Sequence, residues 1–162
     1  MTDDTKAADG LARACALAMW GNDAASRNLG MTLEQVETGR ASLSMMVTAS
    51  MVNGHAICHG GYIFTLGDSA FAFAANTHNQ VTVAQQCTVS FLHPARLGDK
   101  LIATATERWR SGRSGLYDIS VATAQGTMIA ELRGHSRAIG GALLPESTGT
   151  PDVIGSDSSA KP

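Results

Sequence analysis

Between Arg40 and Arg96 the chain carries one formal charge, the carboxylate of Asp68, within a segment that is otherwise largely apolar. A charge in such a setting is costly unless it has a partner or a task. Shortly before it comes the run Asn53-Gly54-His55-Ala56-Ile57-Cys58-His59-Gly60-Gly61, where polar residues and glycines meet the start of a helix. The first turn of a helix exposes N–H groups that lack intrahelical acceptors, at the positive end of the helix dipole. An oxyanion can bind there, and a carboxylate nearby can act as a nucleophile or as a general base.

The elements that position these groups are legible from periodicity. Residues Ala7 to Trp20 repeat Leu11, Ala14, Cys15, Ala18 and Met19 at helical spacing, and Gly21-Asn22 supplies a stop. Alternation over Met31 to Thr38 and Ala41 to Ala49 predicts two strands joined at Gly39-Arg40. The stretch from Gly61 to Asn76 predicts the main helix, apolar nearly all round and therefore expected to be buried. Four more strands are predicted at Val81 to Leu92, Lys100 to Arg110, Gly115 to Ala124 and Thr127 to Ser136, with connections short enough for an antiparallel meander. A long antiparallel sheet that must cover one apolar helix can do so by curling around it, an α+β arrangement.

Composition bounds the function classes. With 162 residues, 44% hydrophobic and 16% charged, the chain suits one domain that buries about 68–70% of its unfolded surface. That domain is expected over residues 10–141, with a flexible N-terminus over 1–9 and a disordered Pro, Ser, Thr and Gly-rich tail over 142–162. A balance of 12 Lys+Arg against 14 Asp+Glu offers no electrostatic grip on nucleic acid or on an anionic membrane. Three scattered cysteines without a C-x-x-C indicate neither a disulfide framework nor a zinc site. The first ten residues do not read as a signal peptide, and no apolar run reaches the roughly 18–20 residues of a membrane span, so a cytoplasmic protein is expected.

Element order and residues together carry a family resemblance. The segment Asn53 to Asn76, the strand and turn Val83 to Pro94, the turn Gly98-Asp99 and the ending Arg133 to Gly141 closely resemble the PaaI family of hotdog-fold thioesterases. His-Gly-Gly alone is weak evidence. With Asn six residues before the histidine and Asp nine after it, at the head of a buried helix, it is far more specific.

The resemblance implies a hotdog fold, a curved antiparallel sheet of five to six strands around one long helix. It also implies hydrolysis of aryl-acetyl-coenzyme A esters, as in phenylacetate catabolism, with coenzyme A as part of the substrate and no separate cofactor. In that frame the Gly60 N–H serves the thioester oxygen, a role worth about 10²–10³ in rate. Asn53 and His59 hold the loop or the carbonyl, and Asp68 attacks directly or activates water. Substrate and coenzyme A contacts fall at Gly61, Phe91, His93, Pro94, Arg96, Arg110, Gly112, Arg113 and Ser114.

Spacing adds a constraint of its own. Gly60 and Asp68 lie eight residues apart, roughly 12 Å along one helix. If both serve one carbonyl, they come from different subunits, with two helices antiparallel across a two-fold axis. The resemblance implies the same homodimer with interfacial sites, paired into a homotetramer.

Other readings of the same residues remain. Asp68 can be a helix carboxylate satisfied by Thr65, Ser69 or a donor across an interface, and His59 can simply cap the helix. His55 and His59 have no helix to align them as a metal pair, and adjacent Cys58 and His59 lack a third orienting group for nucleophilic catalysis. Among functions, a hotdog enoyl-CoA hydratase or dehydratase would need a histidine with an acidic partner. A non-catalytic acyl-CoA-binding regulator would need a DNA-binding extension, for which neither end shows a motif.

Overall fold

The computed structural model describes residues 3–145. Its elements run α1 (Asp3–Asn22), α2 (Ala24–Asn28), β1 (Thr32–Glu37), β2 (Arg40–Met46), α3 (Gly60–Ala75), β3 (Thr82–Phe91), β4 (Lys100–Ser111), β5 (Ser114–Thr123) and β6 (Met128–Ala138), with a single 3-10 turn at Ala49–Met51. The strands form one antiparallel sheet in the order β1-β2-β4-β5-β6-β3. Strict alternation puts Tyr117, Ile119 and Val121 of β5, Leu101, Ala103 and Ala105 of β4, and Ala130 and Leu132 of β6 in the core. Against them α3 buries Ile63, Leu66, Ala70, Phe71, Phe73 and Ala74, the hotdog arrangement.

Two glycines set the depth of that helix. A Cβ on Gly134 of β6 would fall 2.6 Å from Phe71 Cε1, and one on Gly67 of α3 would fall 2.9 Å from Leu132 Cδ2. Helix and strand therefore interlock glycine against ring and glycine against branched side chain. Phe71 in turn packs on Tyr117, ring centroids 5.1 Å apart.

Several expectations are corrected. The meander fails at its first strand: β3 pairs with β6 at the sheet edge, while β4 is inserted between β2 and β5. Residues 92–99 thus form a crossover rather than a hairpin turn, and eight residues at up to about 3.3 Å each reach across the intervening strands. Helix α1 begins at Asp3, so residues 3–9 are helical rather than flexible. Asp3 and Asp4 suit the positive end of the helix dipole. Asp9 accepts from Thr38 N–H at 3.0 Å and from its hydroxyl at 3.2 Å, fastening α1 to the β1–β2 turn.

Helix α3 is not covered all round: Gly61 is exposed, and Thr65, Asp68 and Ala72 on the same face are half-buried. At the C-terminal side Asn79 accepts from Leu144 N–H at 2.9 Å and donates to its carbonyl at 3.3 Å, so the start of the expected tail is tied to the domain. The rest of that tail, residues 146–162, lies outside the described residues.

Gly134→Ala is expected to lower stability by about 1–3 kcal/mol through overpacking. Urea unfolding of the variant against the wild type measures it.

Candidate active site

The loop before α3 is folded on itself. Val52 and Cys58 form an antiparallel bridge, Asn53 N–H donates to the Ile57 carbonyl at 2.9 Å, and Ala56 N–H donates to the Asn53 carbonyl at 3.0 Å. The Asn53 side-chain oxygen accepts from His55 N–H at 2.9 Å, an Asx turn. Ala56 closes the loop at φ 58°, a left-handed conformation that costs energy for any residue with a side chain. Cys58 N–H then donates to the Ala95 carbonyl at 2.8 Å, which stitches the loop to the crossover.

At the helix start the two glycines have different reasons to be glycine. A Cβ on Gly60 would lie 2.9 Å from Phe91 Cζ, and one on Gly61 would lie 3.1 Å from His59 Nδ1. Gly61 N–H donates to His59 Nδ1 at 3.0 Å. Among the described residues the Gly60 N–H has no acceptor. The two amides are therefore not equivalent, and Gly60 holds the free donor.

Gly60 lies in the wall of a cavity of about 580 Å³ formed with Asn53, Ile57, Cys58, Ile63, Phe91, Leu92, His93 and Pro94. His93 Nδ1 donates to the Met128 carbonyl at 2.8 Å, because a carbonyl can only accept; neutral His93 thus keeps an unprotonated Nε2. The remaining lining is mostly apolar. Of the residues expected at the site, Asn53, Gly60, Phe91, His93 and Pro94 come together here. Ile57, Cys58, Ile63 and Leu92 were missed, although Ile63 stands at i+3 from Gly60, on the same helix face.

The other expected residues stand elsewhere. Gly61 and His59 border a separate hollow with Leu29, Tyr62 and Thr65. Arg96 is exposed and its N–H donates to Asp99 Oδ2 at 2.7 Å. Arg110, Gly112, Arg113 and Ser114 border a narrow crevice with Ala75, at the far end of α3, about 22 Å from Gly60 along the helix axis. Both cations are engaged within the chain: Arg110 donates to Gln80 Oε1 at 2.7 Å and Arg113 to the Ala138 carbonyl at 2.8 Å. Beside them Glu107 Oε2 accepts from the Tyr117 hydroxyl at 2.7 Å and pairs with His78 Nε2 at 2.8 Å. Burial, then the Glu107 hydrogen bond, pushes the Tyr117 phenol far above its usual range. That cluster draws on positions too distant in sequence to signal itself.

The Asp68 carboxylate has no hydrogen-bond or ion-pair partner among the described residues. The local donors considered for it are occupied: the Ser69 hydroxyl pairs with Ser26 at 3.0 Å, and the Thr65 hydroxyl donates to the Gly61 carbonyl at 2.8 Å. Burial pushes the Asp68 carboxyl up from its ordinary value. The Cys87 thiol is also raised, by burial and then by the Asp68 charge, which places Asp68 toward edge strand β3. The Cys58 thiol meets the His59 carbonyl rather than its ring, so the two form no nucleophilic pair. Among the described residues no three His, Cys, Asp or Glu side chains converge to hold a metal ion.

A sheet rolled around one helix, with an unpaired amide at the helix head in the wall of a mostly apolar cavity, defines a hotdog domain. The thioesterase superfamily model matches residues 55–130. The chain is 43% identical over 129 residues to the acyl-coenzyme A thioesterase PaaI of Escherichia coli (strain K12), covering 80% of this chain and 92% of that protein. The solved E. coli PaaI protein from the phenylacetic acid degradation operon superposes with a TM-score of 0.82 at 42% identity, over 83% of this chain and 97% of that one. A mutant of the phenylacetic acid degradation protein PaaI from Thermus thermophilus gives 0.68 at 30% identity, over 70% and 97% respectively. The chain belongs to the thioesterase superfamily.

Because burial raises the folded-state pKa of Asp68, its ionisation costs stability, and that cost grows as pH rises from the ordinary carboxyl value to the raised one and is constant above it. Asp68→Asn is therefore expected to melt above the wild type at pH 7. The gap closes as pH falls below about 3, where the carboxyl is protonated in both states. Thermal unfolding across pH checks it.

Proposed function

We propose that this protein hydrolyses acyl-coenzyme A thioesters with aryl-acetyl acyl groups, and that two copies of the chain build each active site. The observation that carries the reading is the free Gly60 amide in the wall of a mostly apolar cavity. The thioester oxygen accepts from that amide while the aryl group rests against Ile63, Phe91 and Pro94. The names of the E. coli and T. thermophilus relatives support this acyl class.

Asp68 lies eight residues further along the same helix and outside the cavity, so the carboxylate for one carbonyl comes from a second copy. Edge strand β3 and the uncovered stripe of α3 suit a two-fold contact that lays the helices antiparallel. The same contact carries Arg110 and Arg113 of one copy toward the cavity of the other, where they meet the coenzyme A phosphates. Dimers pair into tetramers, and the protein works in the cytoplasm.

In the reaction the carboxylate either takes a proton from water as the water oxygen adds to the carbonyl, or adds itself to give an anhydride that water then opens. In both cases the C–S bond breaks, and coenzyme A leaves as a thiolate that takes up a proton. No separate cofactor is needed. The hydratase reading loses support because the His59 ring caps the helix instead of facing the cavity with an acid.

Thiol release from phenylacetyl-coenzyme A by wild type and Asp68→Asn tests the chemistry: turnover is expected to fall by about 10²–10⁴ with substrate binding retained. Unchanged turnover overturns it. Mixing tests the shared site. Gly60→Pro removes the N–H at a first helical position that tolerates proline, and displaces only the exposed Phe91 ring. Gly60→Pro and Asp68→Asn, each inactive alone, are expected to regain roughly a quarter of wild-type activity when co-assembled, since half of random dimers hold one intact site of two. Absence of rescue places both groups in one chain.

A further inference from the structure

The helix start distributes its hydrogen bonds unevenly. His59 satisfies two of the first three amides of α3, accepting Tyr62 N–H on its carbonyl at 3.0 Å and Gly61 N–H on ring Nδ1 at 3.0 Å. Gly60 N–H is left over. To accept, Nδ1 must be unprotonated, so the ring is a neutral imidazole with its proton on Nε2. The ring stands edge-on to Tyr62, centroids 6.3 Å apart at 82°, and occupies the space a Gly61 side chain would need. It borders a hollow distinct from the cavity that holds Gly60.

We propose that His59 is a positioning residue that selects the oxyanion donor: by capping Gly61 it leaves Gly60 as the one free amide of the first turn and holds it rigidly. This rests on the thioesterase reading of the Gly60 amide. Two adjacent glycines are the pair most able to unwind. Without the cap, Gly61 N–H becomes a second loose donor and the Gly60 amide loses its set direction. A donor catalyses by being preorganised for the charge that develops in the transition state. Losing that order lowers kcat more than it weakens ground-state binding.

The role predicts which replacements work. An N-cap needs an acceptor atom at short reach, which Asn supplies and Ala does not. With phenylacetyl-coenzyme A, His59→Ala is expected to lower kcat about tenfold with KM within about twofold. His59→Asn is expected to recover most of that loss. Hydrogen exchange at the Gly61 amide should speed up in His59→Ala and stay slow in His59→Asn. If the Ala variant does not fold, His59→Gln, whose longer amide caps poorly, takes its place.

An Asn variant as slow as Ala would show that the imidazole itself is needed, and overturns the proposal. Full kcat in the Ala variant, or a change confined to KM, overturns it as well. A wild type that releases no thiol overturns the thioesterase reading and this inference together. An active wild type with one of the former outcomes leaves that reading standing.

Discussion

The close approach of α3 to β6 governs the architecture. Phe71 can lie in the sheet only because Gly134 has no side chain, and Leu132 can reach over the helix only because Gly67 has none. This pair of contacts sets how deeply the helix sinks. The sheet then curls around it, and Tyr117 closes on Phe71 from β5. Helix depth in turn brings Gly60, the first residue of α3, against Phe91, the last residue of β3. A side chain at either interior glycine would lift the helix and separate these two ends.

The crossover does the rest. Because β3 lies at the sheet edge and β4 in its interior, the chain must travel between them, and the cavity takes Leu92, His93 and Pro94 from the start of that path. It is pinned on both sides, by Cys58 N–H to the Ala95 carbonyl at 2.8 Å and by Gly98 N–H to the Val47 carbonyl at 2.9 Å. The topological step that separates paired strands is also the one that assembles the pocket.

Two polar groups of α3 have no hydrogen-bond partner among the described residues. One is the Gly60 amide, the other the Asp68 carboxylate, and they lie on one helix with neither near enough to serve the other. Partial burial of the Asp68 charge costs stability, a pattern expected where function resides. The imidazole of His59 takes up the neighbouring Gly61 amide and leaves Gly60 free. Nothing comparable among the described residues relieves Asp68.

Much of this was present in residue order. Alternation located six strands within a few residues, and the run from Gly61 to Asn76 located the central helix, because a side chain's face follows from backbone period alone. The His-Gly-Gly motif and Asp68 marked a candidate site for the same local reason: helix heads and lone carboxylates have chemistry independent of what surrounds them. Helical rise by itself also separated Gly60 from Asp68. Local order could not say that β3 pairs with β6 instead of β4, since alternation reports which way a strand faces and not which strand lies beside it. Nor could it say that Phe91 displaces a side chain from Gly60, that His59 turns its ring nitrogen to the Gly61 amide, or that Arg110 and Arg113 lie at the opposite end of the helix from the cavity. These are contacts between segments distant in the chain, set by how helix and sheet pack, and only the tertiary structure decided them.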